Sequence, residues 1–173
     1  MKTHHIFVAL ALCATPAATI AQSDAGVASV RPLYENVKGW LIRSGEQVPE
    51  EDYGFRPTPE VRSFGELMGH VANANYLFCA GATGEDNPNE TDYEKTTSKA
   101  DLVAGVKGSF EYCDWAFQMS EAKALEQVTF FGQTGSRLWV LMFDVAHDME
   151  HYGNVVTYMR LKGMVPPSSQ PRM

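Results

Sequence analysis

The sequence predicts an all-α fold, a four-helix bundle, on three observations. Four stretches carry apolar residues at three- and four-residue spacing. Serine-headed start signals open the second and third of these stretches, and glycine or proline follows three of the four. One long stretch, residues 83–97, is rich in Asp, Asn, Glu and Thr and reads as a solvated loop between helices.

Before the first helix comes a segment of a different kind. Lys2 and two histidines, His4 and His5, precede the apolar run Ile6–Leu12, and small residues follow as far as Ala21. This is the pattern of a secretory signal peptide, with cleavage expected after Ala21. The run is too short to span a bilayer comfortably. Residues 1–21 are therefore assigned to the signal, and 22–173 to one domain in the periplasm or outside the cell. No membrane association is expected after signal removal. Cys13 leaves with the signal, and Cys79 and Cys113 remain. An even pair in an oxidising compartment favours a disulfide, worth about 3–4 kcal/mol by loop closure, over the alternative of two buried free thiols.

The first helix is expected over Val27–Ser44, where Val30, Leu33, Tyr34, Val37, Trp40 and Leu41 recur at helical spacing, with Gly45 ending it. Three prolines and a glycine make Val48–Pro59 a connecting loop. Ser63 and Glu66 form a capping box for the second helix. Phe64, Leu67, Val71, Ala74 and Phe78 give it one apolar face, and Gly81 and Gly84 are expected to end it. Ser98 and Asp101 start the third helix, whose inner stripe includes Leu102, Val106, Ser109, Cys113 and Phe117. The β-prone, then glycine-rich segment Gln127–Gly135 reads as an extended connection or a small hairpin. The last helix is expected over Ser136–Lys162, stopped by Gly163 and Pro166-Pro167.

The chemistry centres on the last helix. His147 and His151 stand four apart, so both imidazoles lie on one face and can reach one metal ion. His70, on the second helix, is the third candidate ligand. Three neutral imidazoles suit zinc or nickel first, and iron or copper next, and leave a coordination position open. Asp144, His147, His151, Asn154 and Tyr158 share one polar stripe of the last helix, while Val140, Phe143 and Leu161 flank it. A helix apolar on two sides is normally buried, and a buried polar stripe needs partners or an ion. Asp144, Asp148 and Glu150 read as a solvated acidic face, with a general-base or outer-shell role for Asp144 or Asp148 as the alternative. Glu66 could orient His70, but the capping box is its preferred role. Tyr53, Phe55, Tyr76 and Tyr158 read as bundle core ahead of pocket lining.

Other chemistries are absent from the sequence. Asp148 stands where a zinc-protease pattern needs glutamate directly after its first histidine. There is no nucleophile elbow, phosphate loop or dinucleotide fingerprint. The formal net charge of −7, with no basic patch, argues against nucleic acid as a partner.

Two blocks of the sequence resemble the DinB-like superfamily: residues 48–70, VPEEDYGFRPTPEVRSFGELMGH, and residues 147–167, HDMEHYGNVVTYMRLKGMVPP. The likeness extends from about Val30 to Pro167. It implies a four-helix bundle with one long crossover, and a metal ion held by one histidine of the second helix and two of the last. Those positions are His70, His147 and His151. It also implies dimers in many members, so a homodimer is an expected state, and thiol-dependent transferase activity in some. Asn154 departs from the glutamine common three residues after the second histidine of the last helix. The expected function is that of a divalent-metal protein acting enzymatically on a small molecule, as a hydrolase or thiol S-transferase. The alternatives are a non-catalytic periplasmic module that binds metal or ligand, and a purely structural bundle.

Overall fold

The computed structural model describes residues 26–171. The expected signal peptide, its cleavage point, His4, His5 and Cys13 lie outside the described residues. In chain order the elements are α1 (Val27–Gln47), α2 (Phe64–Thr83), α3 (Lys99–Ala116), a single turn α4 (Glu121–Ala124), a hairpin of β1 (Gln127–Phe130) and β2 (Gln133–Ser136), and α5 (Arg137–Leu161). Short 3-10 turns cover Glu50–Asp52, Tyr93–Lys95 and Pro167–Ser169.

α2 packs against α3 and α5, and α1 packs against the same two helices. The order around the bundle is therefore α1, α3, α2, α5, with α1 and α2 at opposite corners. The connection from α1 to α2 crosses the end of the bundle, and so does the connection from α3 to α5. The core between the four helices is apolar. It includes Tyr34, Val37 and Leu41 of α1, Val71 of α2, Phe110 of α3 and Met159 of α5, all with no exposed surface.

Local chemistry sets the helix ends. α1 runs past Gly45, the expected stop, to Gln47. Gly45 lies inside the bundle, where its carbonyl accepts the Tyr53 hydroxyl at 2.6 Å. The helix ends where Val48 turns extended ahead of Pro49. The first amides of α1 lack a side-chain cap of their own, and the Glu121 carboxylate of α4 serves instead, accepting from Gly26 N at 3.1 Å. An anion at a helix N-terminus also complements its dipole.

α2 starts with the capping box that the sequence predicts: Glu66 N donates to Ser63 Oγ at 3.2 Å, and Ser63 N donates to Glu66 Oε2 at 2.8 Å. Gly81 does not stop this helix; it makes room for an edge of the Phe130 ring, whose Cδ2 and Cε2 stand where a side chain would be. Gly84 stops it, with φ of 77° in the left-handed region. Segment 127–135 is the hairpin rather than an open connection, pairing Gln127 with Ser136 and Phe130 with Gln133. Its turn residues Phe131 and Gly132 both have positive φ, 48° and 75°, as a tight two-residue hairpin demands. Ser136 caps α5 by accepting from Trp139 N at 3.2 Å. Gly163 lies just beyond that helix with φ of 73°.

A disulfide joins Cys79 of α2 to Cys113 of α3, as the sequence predicts, with the two Cα atoms 5.3 Å apart. Both residues are fully buried.

Candidate metal centre

His70 sits in the second turn of α2, and His147 and His151 sit in successive turns of α5, where the two helices pack. The structure brings together the three histidines that the sequence selects. His70 Nε2 lies 3.2 Å from His147 Nε2, and His147 Nε2 lies 2.9 Å from His151 Nε2. A tetrahedral ion at 2.0–2.1 Å from its nitrogens would hold them about 3.3 Å apart. The spacing therefore suits one ion on three Nε2 atoms with little movement.

The protonation state fits as well. Burial pushes the His147 imidazole down to about 3, helped by the charges of His151 and His70. Burial likewise pushes His151 down to about 4, with His70 acting in the same direction. Both rings are neutral at physiological pH, and a neutral imidazole carries the lone pair that a metal needs. The Nδ1 atoms of His147 and His151 are buried and find no partner among the described residues.

His70 is held from behind. Its Nδ1 lies 2.7 Å from Glu94 Oε1, and Glu94 Oε2 accepts from Arg62 Nε at 3.0 Å. Burial pushes the Glu94 carboxyl up, but the hydrogen bonds from His70 and Arg62 outweigh it and hold the group below the usual carboxylate range. An ionised Glu94 fixes the His70 tautomer with Nε2 turned towards the other two rings. Glu66 does not take this part. It is occupied by the capping box and by Arg56 at 2.9 Å.

Glu94 reaches His70 because the polar loop is not free in solvent along its whole length. Asn73 Oδ1 accepts from Tyr93 N at 3.1 Å, and the 3-10 turn at Tyr93–Lys95 lies directly on α2 at Gly69. A Cβ at Gly69 would stand 2.5 Å from the Tyr93 carbonyl carbon and 2.8 Å from Glu94 N. Sequence reasoning missed both Glu94 and Arg62. Neither belongs to a periodic pattern, and only the packing of the loop on α2 connects them to His70.

Asp144 and Asp148 correct a second expectation. They do not form a solvated face, since both are fully buried and only Glu150 of that trio is exposed. α1 and α2 close over this side of α5. The Asn75 amide nitrogen, turned towards Asp148, donates to Oδ1 at 3.0 Å. Burial pushes both carboxyls well above the usual carboxylate range, and for Asp148 the charge of Asp144 adds to the effect. Of the apolar residues expected to flank the stripe, Val140 is buried while Phe143 and Leu161 are exposed.

Two surfaces adjoin the histidines. A cleft of about 560 Å³ is lined by Arg62, Leu67, Glu150, His151, Asn154 and Tyr158. Tyr158 is thus both core and pocket wall, and its hydroxyl donates to the Arg62 carbonyl at 2.8 Å. Tyr53 is buried core, while Phe55 packs edge-on against Tyr158. On the other side, the Phe78 ring meets His147 edge-on at 5.0 Å, and Phe143, Phe130 and Phe131 continue the aromatic wall.

Three imidazoles thus converge from the second and last long helices of the bundle. The chain belongs to the DinB superfamily, a generally metal-binding group whose sequence pattern matches residues 43–155. Two solved structures share the fold. A DinB-like protein of Bacillus cereus is 17% identical with a TM-score of 0.71, the match covering 81% of this chain and 95% of that one. A DinB-like protein of Bacillus subtilis is 21% identical with a TM-score of 0.67, covering 84% of this chain and 99% of that one. No curated protein matches the sequence.

Proposed function

We propose that this protein is a metal-dependent enzyme acting on a small molecule, with zinc or nickel on His70, His147 and His151, and that it works after export. The observation that carries the reading is the convergence of three Nε2 atoms on one point, two of them on rings kept neutral by burial. An ion held by three protein ligands keeps a position open and supplies Lewis acidity there. The chain does the rest. Glu94 fixes the orientation of His70, and Arg62 fixes Glu94. The cleft beside His151 gives a small molecule a bed on which Arg62, Asn154 and Tyr158 offer hydrogen bonds and Leu67 offers an apolar surface. The buried Phe78 ring, edge-on to His147, gives that histidine an apolar neighbour on its far side. Hydrolysis and thiol transfer both fit this arrangement, because both need an electrophile polarised, or a nucleophile activated, at one open position.

The test is elemental analysis of untagged protein exported to the periplasm, wild type beside His147→Ala. About one equivalent of transition metal, lost in the variant, is the expected result. Wild-type protein that takes up no metal even on reconstitution would remove the enzymatic reading. Binding of azide or imidazole to the loaded site separates an open enzyme centre from a closed sequestering module.

A further inference from the structure

Next to the disulfide stands a side chain that the fold does not explain. Asp144 of α5 is fully buried, and its Oδ2 finds no hydrogen-bond partner among the described residues. A buried carboxyl oxygen left without a partner carries an uncompensated desolvation cost. Asp148 also leaves Oδ2 without a partner, but its Oδ1 accepts from Asn75, while Ser109 Oγ donates to the Val106 carbonyl at 2.8 Å and Tyr34 Oη donates to the Phe110 carbonyl at 2.9 Å. What Asp144 faces is sulfur. The ligand atoms of Cys79, Cys113 and Asp144 all lie within 4.8 Å of one another, drawn from three different helices.

We propose that Cys79, Cys113 and Asp144 form a second metal site, separate from the three histidines, which disulfide reduction opens and disulfide formation closes. In the oxidised protein the two sulfurs are bonded to each other and carry no charge to offer. A dithiol reductant breaks the S–S bond. Two thiols form on the protein, and the reductant leaves as its own disulfide. A divalent ion then displaces one proton from each thiol and one from Asp144, and is held by two thiolates and a carboxylate. Thiolates select soft or borderline ions, so zinc is the expected occupant. Tetrahedral thiolate ligands sit about 3.8 Å apart, so the sulfurs separate by a distance that small shifts of α2 and α3 can supply. The ion also ends the isolation of Asp144, whose carboxylate gains a cation in a dry core.

Cobalt tests this, because thiolate ligands give cobalt(II) an intense near-ultraviolet charge-transfer band that imidazole ligands do not. The purified protein, oxidised or reduced with dithiothreitol and desalted anaerobically, is titrated with cobalt(II). The oxidised protein should load the histidine centre without that band. The reduced protein should bind a further equivalent with the band, and Asp144→Asn should weaken that equivalent by more than about tenfold while leaving the first unchanged. Equal stoichiometry in both redox states with no charge-transfer band overturns the proposal. So does a disulfide that dithiothreitol cannot reduce in the folded protein, or unchanged affinity in Asp144→Asn. If reduction alone unfolds the chain, helix recovered on adding cobalt, together with the band, supports the site. Failure to recover counts against it.

Discussion

Gly69 should control the metal centre without touching it. Alanine there places a methyl group 2.5 Å from the Tyr93 carbonyl carbon. Ordinary contact begins near 3.4 Å, so the Tyr93–Lys95 turn must retreat by about 0.9 Å. The contact atoms are backbone, so no flexible side chain can absorb the clash. The 2.7 Å contact between His70 Nδ1 and Glu94 Oε1 then opens to about 3.6 Å, beyond hydrogen-bonding range. Losing such a supporting partner lowers metal affinity about 10- to 100-fold, or about 1.4–2.7 kcal/mol. Overpacking should also cost about 1–3 kcal/mol of stability. The assay is competition for zinc against a chromophoric chelator, with thermal unfolding of the metal-free protein measured in parallel. Glu94→Ala should show a similar loss of affinity with a smaller loss of stability. If Gly69→Ala melts lower yet binds zinc as the wild type does, the coupling from Gly69 through Glu94 to His70 is wrong.

Further consequences can be measured. Replacing both cysteines with serine removes a cross-link spanning 34 residues and should destabilise the protein by about 3.8 kcal/mol on the loop-closure relation, read from denaturant unfolding. A loss below about 1 kcal/mol would show that the bundle does not rely on it. Ser63→Ala removes the acceptor for Glu66 N and should lower stability by about 1 kcal/mol, seen as a drop in Tm without loss of helix content at low temperature. Chelated protein should lose stability as the pH falls. Unfolded histidines take up protons near 6.5, whereas folded His147 and His151 resist until about 3 and about 4. Their contribution is thus fully present above about 6.5 and declines below it, and urea titrations between pH 7 and 4.5 should show the slope. In His147→Ala/His151→Ala this acid-side loss should vanish and leave the opposite trend of Asp144 and Asp148, whose raised carboxyls favour the folded state as the pH falls; an unchanged acid-side loss would refute the assignment.

Much of this centre was legible in the sequence, for reasons specific to each residue. His147 and His151 declare themselves because helical spacing alone puts i and i+4 on one face. The Ser63–Glu66 box is local, so its outcome is independent of the rest of the fold. His70 is different. Its spacing to the pair is arbitrary; it is a candidate because it is the one histidine left outside the expected signal and the last helix, and the likeness to a known family adds the position that a third ligand would take. Glu94 lies 24 residues beyond His70 in a loop whose composition says solvent, and its position depends on a backbone contact at Gly69 that no pattern encodes. Asp144 and Asp148 were misread because charge normally marks the wet face of a helix. α5 is packed on more than one side, and its acids face inward.

The disulfide and the three histidines both take hold of α2, at Cys79 and at His70. One ties α2 to α3, and an ion on the other would tie it to α5. α1 is held by no such tether. Its grip comes from side chains such as Tyr34, which stacks on Phe117, and Lys38, which pairs with Asp114 at 2.6 Å. The molecule is thus a stapled three-helix frame with one clipped-on rod. In hydrogen exchange the amides of α1 should open as a unit ahead of the other helices, and the gap should widen when metal is added.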